Sequence, residues 1–307
     1  PSHDTFNRFF SIFPANSFEE IFRNWVKEII GELKGVVAID GKLMRGPSKC
    51  DADNPIGKDD FRLWVVSAWS SENSISLGQE KVSAKSNEIT IVPKLLSAID
   101  LSKTIVTIDA MGCQTAITEK IIEGKGDYII ALKANQKHSL NLAKNMISGF
   151  ANRERRNIVS RCSTTNEGHG RHEQRDCIVV SYGNIMQNMF KDKFIGLKRT
   201  IIATGETTEE ARYYITSLSN KDSEKIADAI RQHWSIENNL HWQLDFTFRE
   251  DDSRKVRNAA RNFSTITKIA LSILKNDKTT KGSLNLKRLK AGWSEDYLDR
   301  LLTDSSI

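Results

Sequence analysis

Three acidic residues have the types and positions that metal-dependent chemistry requires. Asp40 follows the hydrophobic run 36–39, and Asp109 follows the run 104–108. Glu237 stands far downstream, in a segment whose apolar residues have helical spacing. Because a carboxylate at the end of a buried strand is costly unless it is paired or metal-bound, the three acids indicate a site that collects Mg²⁺ for phosphoryl chemistry.

Each acid has a simpler interpretation when it is taken alone. An Asp at a strand end begins a turn in roughly two cases of three. An acid on the apolar face of a helix is either salt-bridged or functional. The placement of all three acids together favours the functional interpretation.

Other catalytic motifs are absent from the sequence. It contains no GxxxxGK[ST], HExxH or GxSxG pattern, which disfavours a nucleotide-driven motor, a metallopeptidase and a serine hydrolase. Glu237 and His241 have the spacing of a metal pair, without the further ligands of a metallopeptidase. His169 and His172 lie in a polar stretch that is more typical of a surface turn.

The elements that position the acids follow from changes in hydrophobic period along the chain. Residues 1–34 have helical spacing, and Ser17 with Glu20 forms a capping-box pattern for a second helix. Strands are predicted at 36–39, 61–69, 74–82, 104–108, 127–133, 157–163, 171–181, 200–204 and 212–218, and helices at 87–99, 114–123 and 136–150, with two more across 221–275, broken near 245–253. This order predicts a mixed α/β sheet with helices on its faces.

The order of the predicted elements divides the chain into five segments. They are a helical N-terminal segment at 1–34, the first part of a catalytic core at 35–155, a strand-rich region at 156–219, the final helices at 220–275 and a tail at 276–307. If the strands 36–39 and 104–108 are neighbours, Asp40 and Asp109 emerge at one edge of the sheet. Two adjacent carboxylates repel unless a divalent cation lies between them, and a helix at 223–245 would supply Glu237.

The charge balance permits a polyanionic partner. The 307 residues carry a net charge of +6, which suits nucleic acid without requiring it, and a solvated surface is the commoner explanation for any single basic stretch. No apolar run approaches the roughly 20 residues of a membrane span. Four cysteines without zinc-ligand spacing indicate free thiols in a reducing cytoplasm. The N-terminus lacks Met, so we expect a fragment or a processed product.

Several motifs carry a family resemblance. They are AIDGK at 38–42, KSNEI at 85–89, VTIDAMGCQ at 106–114, LKANQ at 132–136, HWSIEN at 233–238, LHW at 240–242, and FRED with SR at 248–254. With these motifs the chain resembles the DDE-type insertion-sequence transposases, and most closely the H-repeat-associated transposase family. The resemblance extends over nearly the whole chain.

The resemblance implies a ribonuclease-H-like core in which Asp40, Asp109 and Glu237 form the catalytic, metal-binding triad. It implies that the strand-rich region 156–219 is an insertion before the last catalytic helix. The implied activity is cleavage of element ends and transfer of the freed strand to target DNA, with Mg²⁺ or Mn²⁺ as cofactor. The implied setting is a homodimeric synaptic complex on DNA in the cytoplasm, associated with the nucleoid and not with a membrane.

The chain departs from the wider superfamily around its last acid. The usual Tyr, Arg and Lys positions of the Tyr–Arg–Glu–Lys signature are occupied by Ile230, His233 and Leu244. The candidates for phosphate contact in this chain are Lys42, Lys133, Arg231, Arg254 and Arg257. Bases would stack on Trp234 or Trp242, although core packing is the commoner role for such residues by about two to one.

Two other functions fit the same residues. One is a DNA-binding transposase relic that has lost catalysis, and the other is a metal-dependent nuclease that cleaves without joining. Cleavage and joining assays on DNA that carries the element's ends discriminate among the three.

Overall fold

A computed structural model describes residues 1–46, 63–82, 87–151, 159–168, 171–181, 193–203, 206–219 and 222–303. These residues form two compact units, Pro1–Asp100 with Trp234–Ile307, and Leu101–His233. The strands are β1 (Gly35–Met44), β2 (Leu63–Ser70), β3 (Ile75–Val82), β4 (Thr104–Ile108), β5 (Asp127–Leu132), β6 (Val159–Gly168), β7 (Arg171–Ser181), β8 (Lys193–Ala203) and β9 (Glu206–Thr216). The α-helices span His3–Ile12, Ala15–Ile30, Glu88–Ser97, Thr115–Glu123, Lys137–Ala151, Ser223–His233, Trp242–Phe246, Arg257–Asn276, Leu284–Trp293 and Glu295–Thr303.

The first unit starts with the two predicted N-terminal helices. The second helix begins at Ala15, behind Pro14, and not at the predicted Ser17 cap. Pro14 decides this boundary because the residue before a proline is driven out of the helical region, and Phe13 is extended. The capping-box prediction is therefore wrong, and Ser17 lies inside the first turn.

Strands β1, β2 and β3 form an antiparallel meander in the first unit, which confirms the strands predicted at 36–39, 61–69 and 74–82, of which residues 61 and 62 lie outside the described part of the chain. Strand β1 continues past Asp40 to Met44, because residues 63–66 of β2 pair with residues 41–44 of β1 and prolong the ladder. Asp40 pairs with Ser67 inside the strand. The prediction that Asp40 ends its strand is thus wrong.

The core of the first unit joins this meander to the C-terminal helices. Ala38, Trp69, Ile236, Leu240, Leu244 and Leu271 form one fully buried cluster. Burying a large apolar side chain contributes about 1.5–3 kcal/mol, so this cluster holds the segment around Glu237 firmly against β1 and β2.

The second unit contains a six-stranded mixed sheet. Strand β4 is parallel to β5, and β5 continues through β9, β8, β7 and β6 in antiparallel pairs. All five residues of β4 are buried, as expected for a parallel strand that is covered on both faces. The segment that the resemblance treats as an insertion therefore extends the sheet of β4 and β5.

Two strands of this ladder are longer than the sequence predicts. Strand β8 occupies Lys193–Ala203 instead of 200–204, and β9 occupies Glu206–Thr216 instead of 212–218. The residues of β9 that the sequence pattern missed, 206–211, are mostly polar, whereas those of β8, 193–199, include the buried Phe194 and Ile195. Both stretches have backbone partners in register along the full length of the ladder. The predicted segment boundaries remain predictions, and so does the adjacency of the strands that carry Asp40 and Asp109.

In the part of the chain that the structure describes, no helix is long and apolar enough to cross a membrane.

Candidate functional site

Asp40 projects from β1 on the same face as Ala38 and Lys42, because side chains alternate along a strand. The Nδ1 atom of His241 lies 3.4 Å from Oδ2 of Asp40. His241 is largely buried, with its side chain 13% exposed. Burial lowers the pKa of His241 to about 3, and the positive charges of Lys268 and Lys42 act in the same direction. The ring is therefore neutral and does not cancel the charge of Asp40.

Lys42 is held by two carboxylates of the same unit. Its ammonium group bonds to Oδ1 of Asp245 and lies 3.1 Å from Oε2 of Glu250. The side chains of Lys42 and Glu250 are 13% and 4% exposed. Burial raises the pKa of Asp245, whereas Lys42 opposes that rise. The predicted phosphate contact of Lys42 stays a prediction, and these ion pairs give the residue a structural role.

Glu237 lies in a π turn that spans Ile236–His241. The N–H group of Trp242 donates to the carbonyl of Glu237, five residues earlier. The continuous helix predicted over 223–245 is therefore interrupted after His233. The wide turn directs Ile236 and Leu240 into the core and leaves Glu237 exposed beside them. Single π turns inside helices are frequent at functional sites.

Aromatic side chains near Glu237 face solvent. Trp242 and Phe246 are 52% and 62% exposed, and their rings stack with centroids 4.6 Å apart. Trp234 is also exposed. The interpretation of Trp234 and Trp242 as core residues is therefore wrong, because Ile236, Leu240 and Leu244 occupy the buried face of this segment.

Asp109 belongs to the second unit and follows β4 directly. Its Oδ1 accepts a hydrogen bond of 3.0 Å from the N–H of Met111, so it caps the short 3₁₀ turn Ala110–Gly112. Asp109 therefore begins a turn, as the simpler interpretation of a strand-end Asp predicts. In the same unit, the Nδ1 atom of His233 lies 3.0 Å from Oγ1 of Thr107. Burial lowers the pKa of His233, while the charge of Asp109 raises it.

The other candidate phosphate contacts have exposed side chains. Lys133 and Arg231 belong to the second unit, and Arg254 and Arg257 belong to the first. Their predicted contact with phosphate therefore stays a prediction. They differ from Lys42, whose side chain is only 13% exposed.

The model of the transposase DDE domain family matches residues 31–273. The chain belongs to the DDE transposase family. YncI of Escherichia coli O157:H7, whose name describes it as a transposase, is 39% identical over 321 residues, covering 100% of this chain and 79% of YncI. YhhI of E. coli K12, named as an H repeat-associated transposase, is 39% identical over 320 residues and 82% of its own length. The resemblance to the H-repeat-associated family is confirmed.

Among solved structures, a piggyBac transposase synaptic complex with hairpin DNA aligns with 94% of this DDE transposase and with 61% of its own chain. The sequence identity is 13% and the TM-score is 0.45, a similarity too low to support an argument about function.

The acids of this DDE transposase offer oxygen donors without a preformed cage. Among the described residues, no group of three or more His, Cys, Asp or Glu side chains is arranged to hold a metal ion. Mg²⁺ is commonly held by one or two carboxylates that substrate phosphates complete. The half-buried Asp40 and Asp109 and the exposed Glu237 fit that donor chemistry.

Sequence reasoning missed the polar contacts behind Asp40. Asp245 and Glu250 were not predicted to bind Lys42, and His241 was considered only as a metal ligand with Glu237. One signal was available: the polar residues 237, 241 and 245 repeat every four positions, beside the apolar residues 236, 240 and 244. Residues four positions apart lie on one helix face, which places His241 and Asp245 together beside the apolar face.

Proposed function

We propose that the chain is a DNA transposase that cleaves DNA strands and joins freed 3′-hydroxyl groups to target DNA, using a ribonuclease-H-like core. The observation that carries the proposal is that the Glu237 segment packs against the strand that holds Asp40. These acids are far apart in the sequence, yet their elements pack through one buried cluster in a chain of the DDE transposase family.

The proposed metal-binding residues are Asp40 and Glu237 of the first unit and Asp109 of the second. A bound Mg²⁺ or Mn²⁺ ion would neutralise phosphate charge and activate the attacking water or 3′-hydroxyl group. The protein's own contribution is to position the carboxylates: β1 holds Asp40, the 3₁₀ turn holds Asp109, and the π turn presents Glu237 to solvent.

The proposed partners are the DNA ends of the element and a target duplex. The net charge of +6 and the exposed Lys133, Arg231, Arg254 and Arg257 support contacts with phosphates, which position DNA without reading its sequence. The exposed rings of Trp242 and Phe246 support stacking of an unpaired base, since aromatic platforms bind bases of any sequence. A homodimer on two DNA ends, in the nucleoid, completes the proposal.

The test is a cleavage and joining assay with the full chain, Mg²⁺ or Mn²⁺, and DNA that carries the element's ends. We expect nicked and joined products from the wild-type chain and none from Asp109→Asn. Asp299→Asn, which changes an exposed Asp of the helix Glu295–Thr303, is the matched control and should remain active.

Other outcomes support the alternatives. Joining that survives Asp109→Asn would overturn the proposed triad. DNA binding without cleavage by the wild-type chain would identify a relic, and cleavage without joining would identify a nuclease.

A further inference from the structure

We propose that His241 is a positioning residue for Asp40, and that His241 and Asp245 together hold the Glu237 segment in register on β1. The inference rests on the proposed function for its consequence in catalysis. Its structural content stands on two contacts, Asp40 with His241 and Lys42 with Asp245.

The two contacts have nearly the same spacing along the strand as along the helix. Asp40 and Lys42 are two residues apart on one face of β1, a distance of roughly 6.6 Å along a strand. His241 and Asp245 are four residues apart on one helix face, a rise of about 6 Å. The two polar contacts therefore form at the same time, and a shift by one residue in either element breaks both.

Apolar packing fixes the same register. Ala38 is the next residue on this face of β1, and it lies in the buried cluster with Ile236, Leu240 and Leu244. Glu237 precedes His241 within the π turn, so the contact of His241 with Asp40 ties the element that carries one proposed ligand to the side chain of another.

The surroundings of His241 determine which of its two ring nitrogens carries the proton. Nε2 is buried and has no hydrogen-bond partner among the described protein atoms, whereas Nδ1 faces Oδ2 of Asp40. A buried N–H group without an acceptor is costly. A ring that carries a single proton therefore holds it on Nδ1, where it can donate to Asp40 and restrict the rotation of its carboxylate.

The direct-ligand alternative makes a different demand on the side chain. A metal ligand at position 241 needs a lone pair, whereas a positioning residue needs a donor at the place of Nδ1. Asparagine puts an N–H group close to that place, and aspartate puts a charged oxygen there. His241→Asn should therefore restore what His241→Ala loses, and His241→Asp should not.

Two measurements test the proposal on the full chain. Long-range ¹H–¹⁵N spectra without metal should show His241 protonated at Nδ1, and Asp40→Asn should shift that signal. Titration with Mn²⁺, followed by the electron paramagnetic resonance of the free ion, should show affinity that falls by about 10–100-fold in His241→Ala, the usual cost of losing an outer-shell partner, and recovers in His241→Asn. His138→Ala, an exposed histidine of the second unit, is the matched control.

Results that contradict the positioning role of His241 differ from results that contradict the proposed function. An Nε2-protonated ring, a signal that Asp40→Asn leaves unchanged, or equal Mn²⁺ affinity in the Ala and Asn variants overturns the positioning role. A wild-type chain that shows the Nδ1 signal and its shift but cleaves no DNA overturns the transposase activity and leaves the His241 contact supported.

Discussion

Replacing Lys42 by methionine separates its structural role from its predicted phosphate contact. The variant keeps the length of the side chain but leaves Glu250 and Asp245 without their cation. Because the Glu250 side chain is only 4% exposed, removing its partner should cost about 3–5 kcal/mol of unfolding free energy. Asp245, 35% exposed, contributes less because water screens it. Urea unfolding of the Lys42→Met and wild-type chains measures the difference.

The loss of stability should depend on pH with a definite sign. Burial raises the pKa of Asp245 and Lys42 opposes the rise, so the pKa climbs further in Lys42→Met. The folded state then binds more protons than the unfolded state between the ordinary and the raised pKa, and stability decreases as pH rises through that window. The difference between Lys42→Met and wild type should therefore shrink as pH falls from 7 towards 4.

The refuting result is equally specific. If Lys42 contacts a phosphate and does little for stability, Lys42→Met should unfold like wild type, and the slope of log affinity for DNA against log salt should decrease by about 0.9. Lys133→Met is the matched control, since its exposed side chain should change the slope without changing stability.

Three further predictions concern other described residues. Leu240→Ala should lower the unfolding free energy by about 2–5 kcal/mol in urea titrations, because it opens a cavity in the buried cluster. Trp242→Ala and Phe246→Ala should each weaken binding to single-stranded DNA by about 1–3 kcal/mol in fluorescence anisotropy, with unchanged melting temperature because both rings are exposed; equal affinity would exclude stacking. Burial raises the pKa of Asp277, but hydrogen bonds, one of 2.7 Å from Tyr297, hold it well below its usual range. Asp277→Asn should thus cost about 1.5–3 kcal/mol at pH 7, and the cost should fade as pH falls below the ordinary pKa of Asp277; a pH-independent cost contradicts this.

Local patterns predicted the elements whose stability is local. The strand Thr104–Ile108 has the predicted bounds because a short apolar run between turn residues is a sufficient signal for a buried strand. The helix predicted at 87–99 occupies Glu88–Ser97, and Asn87 caps it by accepting a hydrogen bond from the N–H of Thr90, a local contact between residues three positions apart.

Elements that depend on distant partners were predicted poorly. Residues 41–44 are extended because β2 pairs with them, and no local pattern shows that pairing. Lys42 and Asp245 are separated by 203 residues, so their ion pair is visible only in three dimensions. The helix around Glu237 was predicted as a regular one, because residues 236, 240 and 244 fit an ordinary helical repeat even when one turn is wider.

The π turn at Ile236–His241 holds one more residue than a regular α-helical turn, because its hydrogen bonds join residues five positions apart. Removing one residue, such as Asn238, would let the backbone form a regular α-helix with hydrogen bonds between residues four positions apart. A turn of either kind completes about one full rotation, so Glu237 would keep nearly the same direction relative to Leu244 and the residues after it. The π turn thus accommodates an extra residue in the sequence while the residues on either side of it keep their faces.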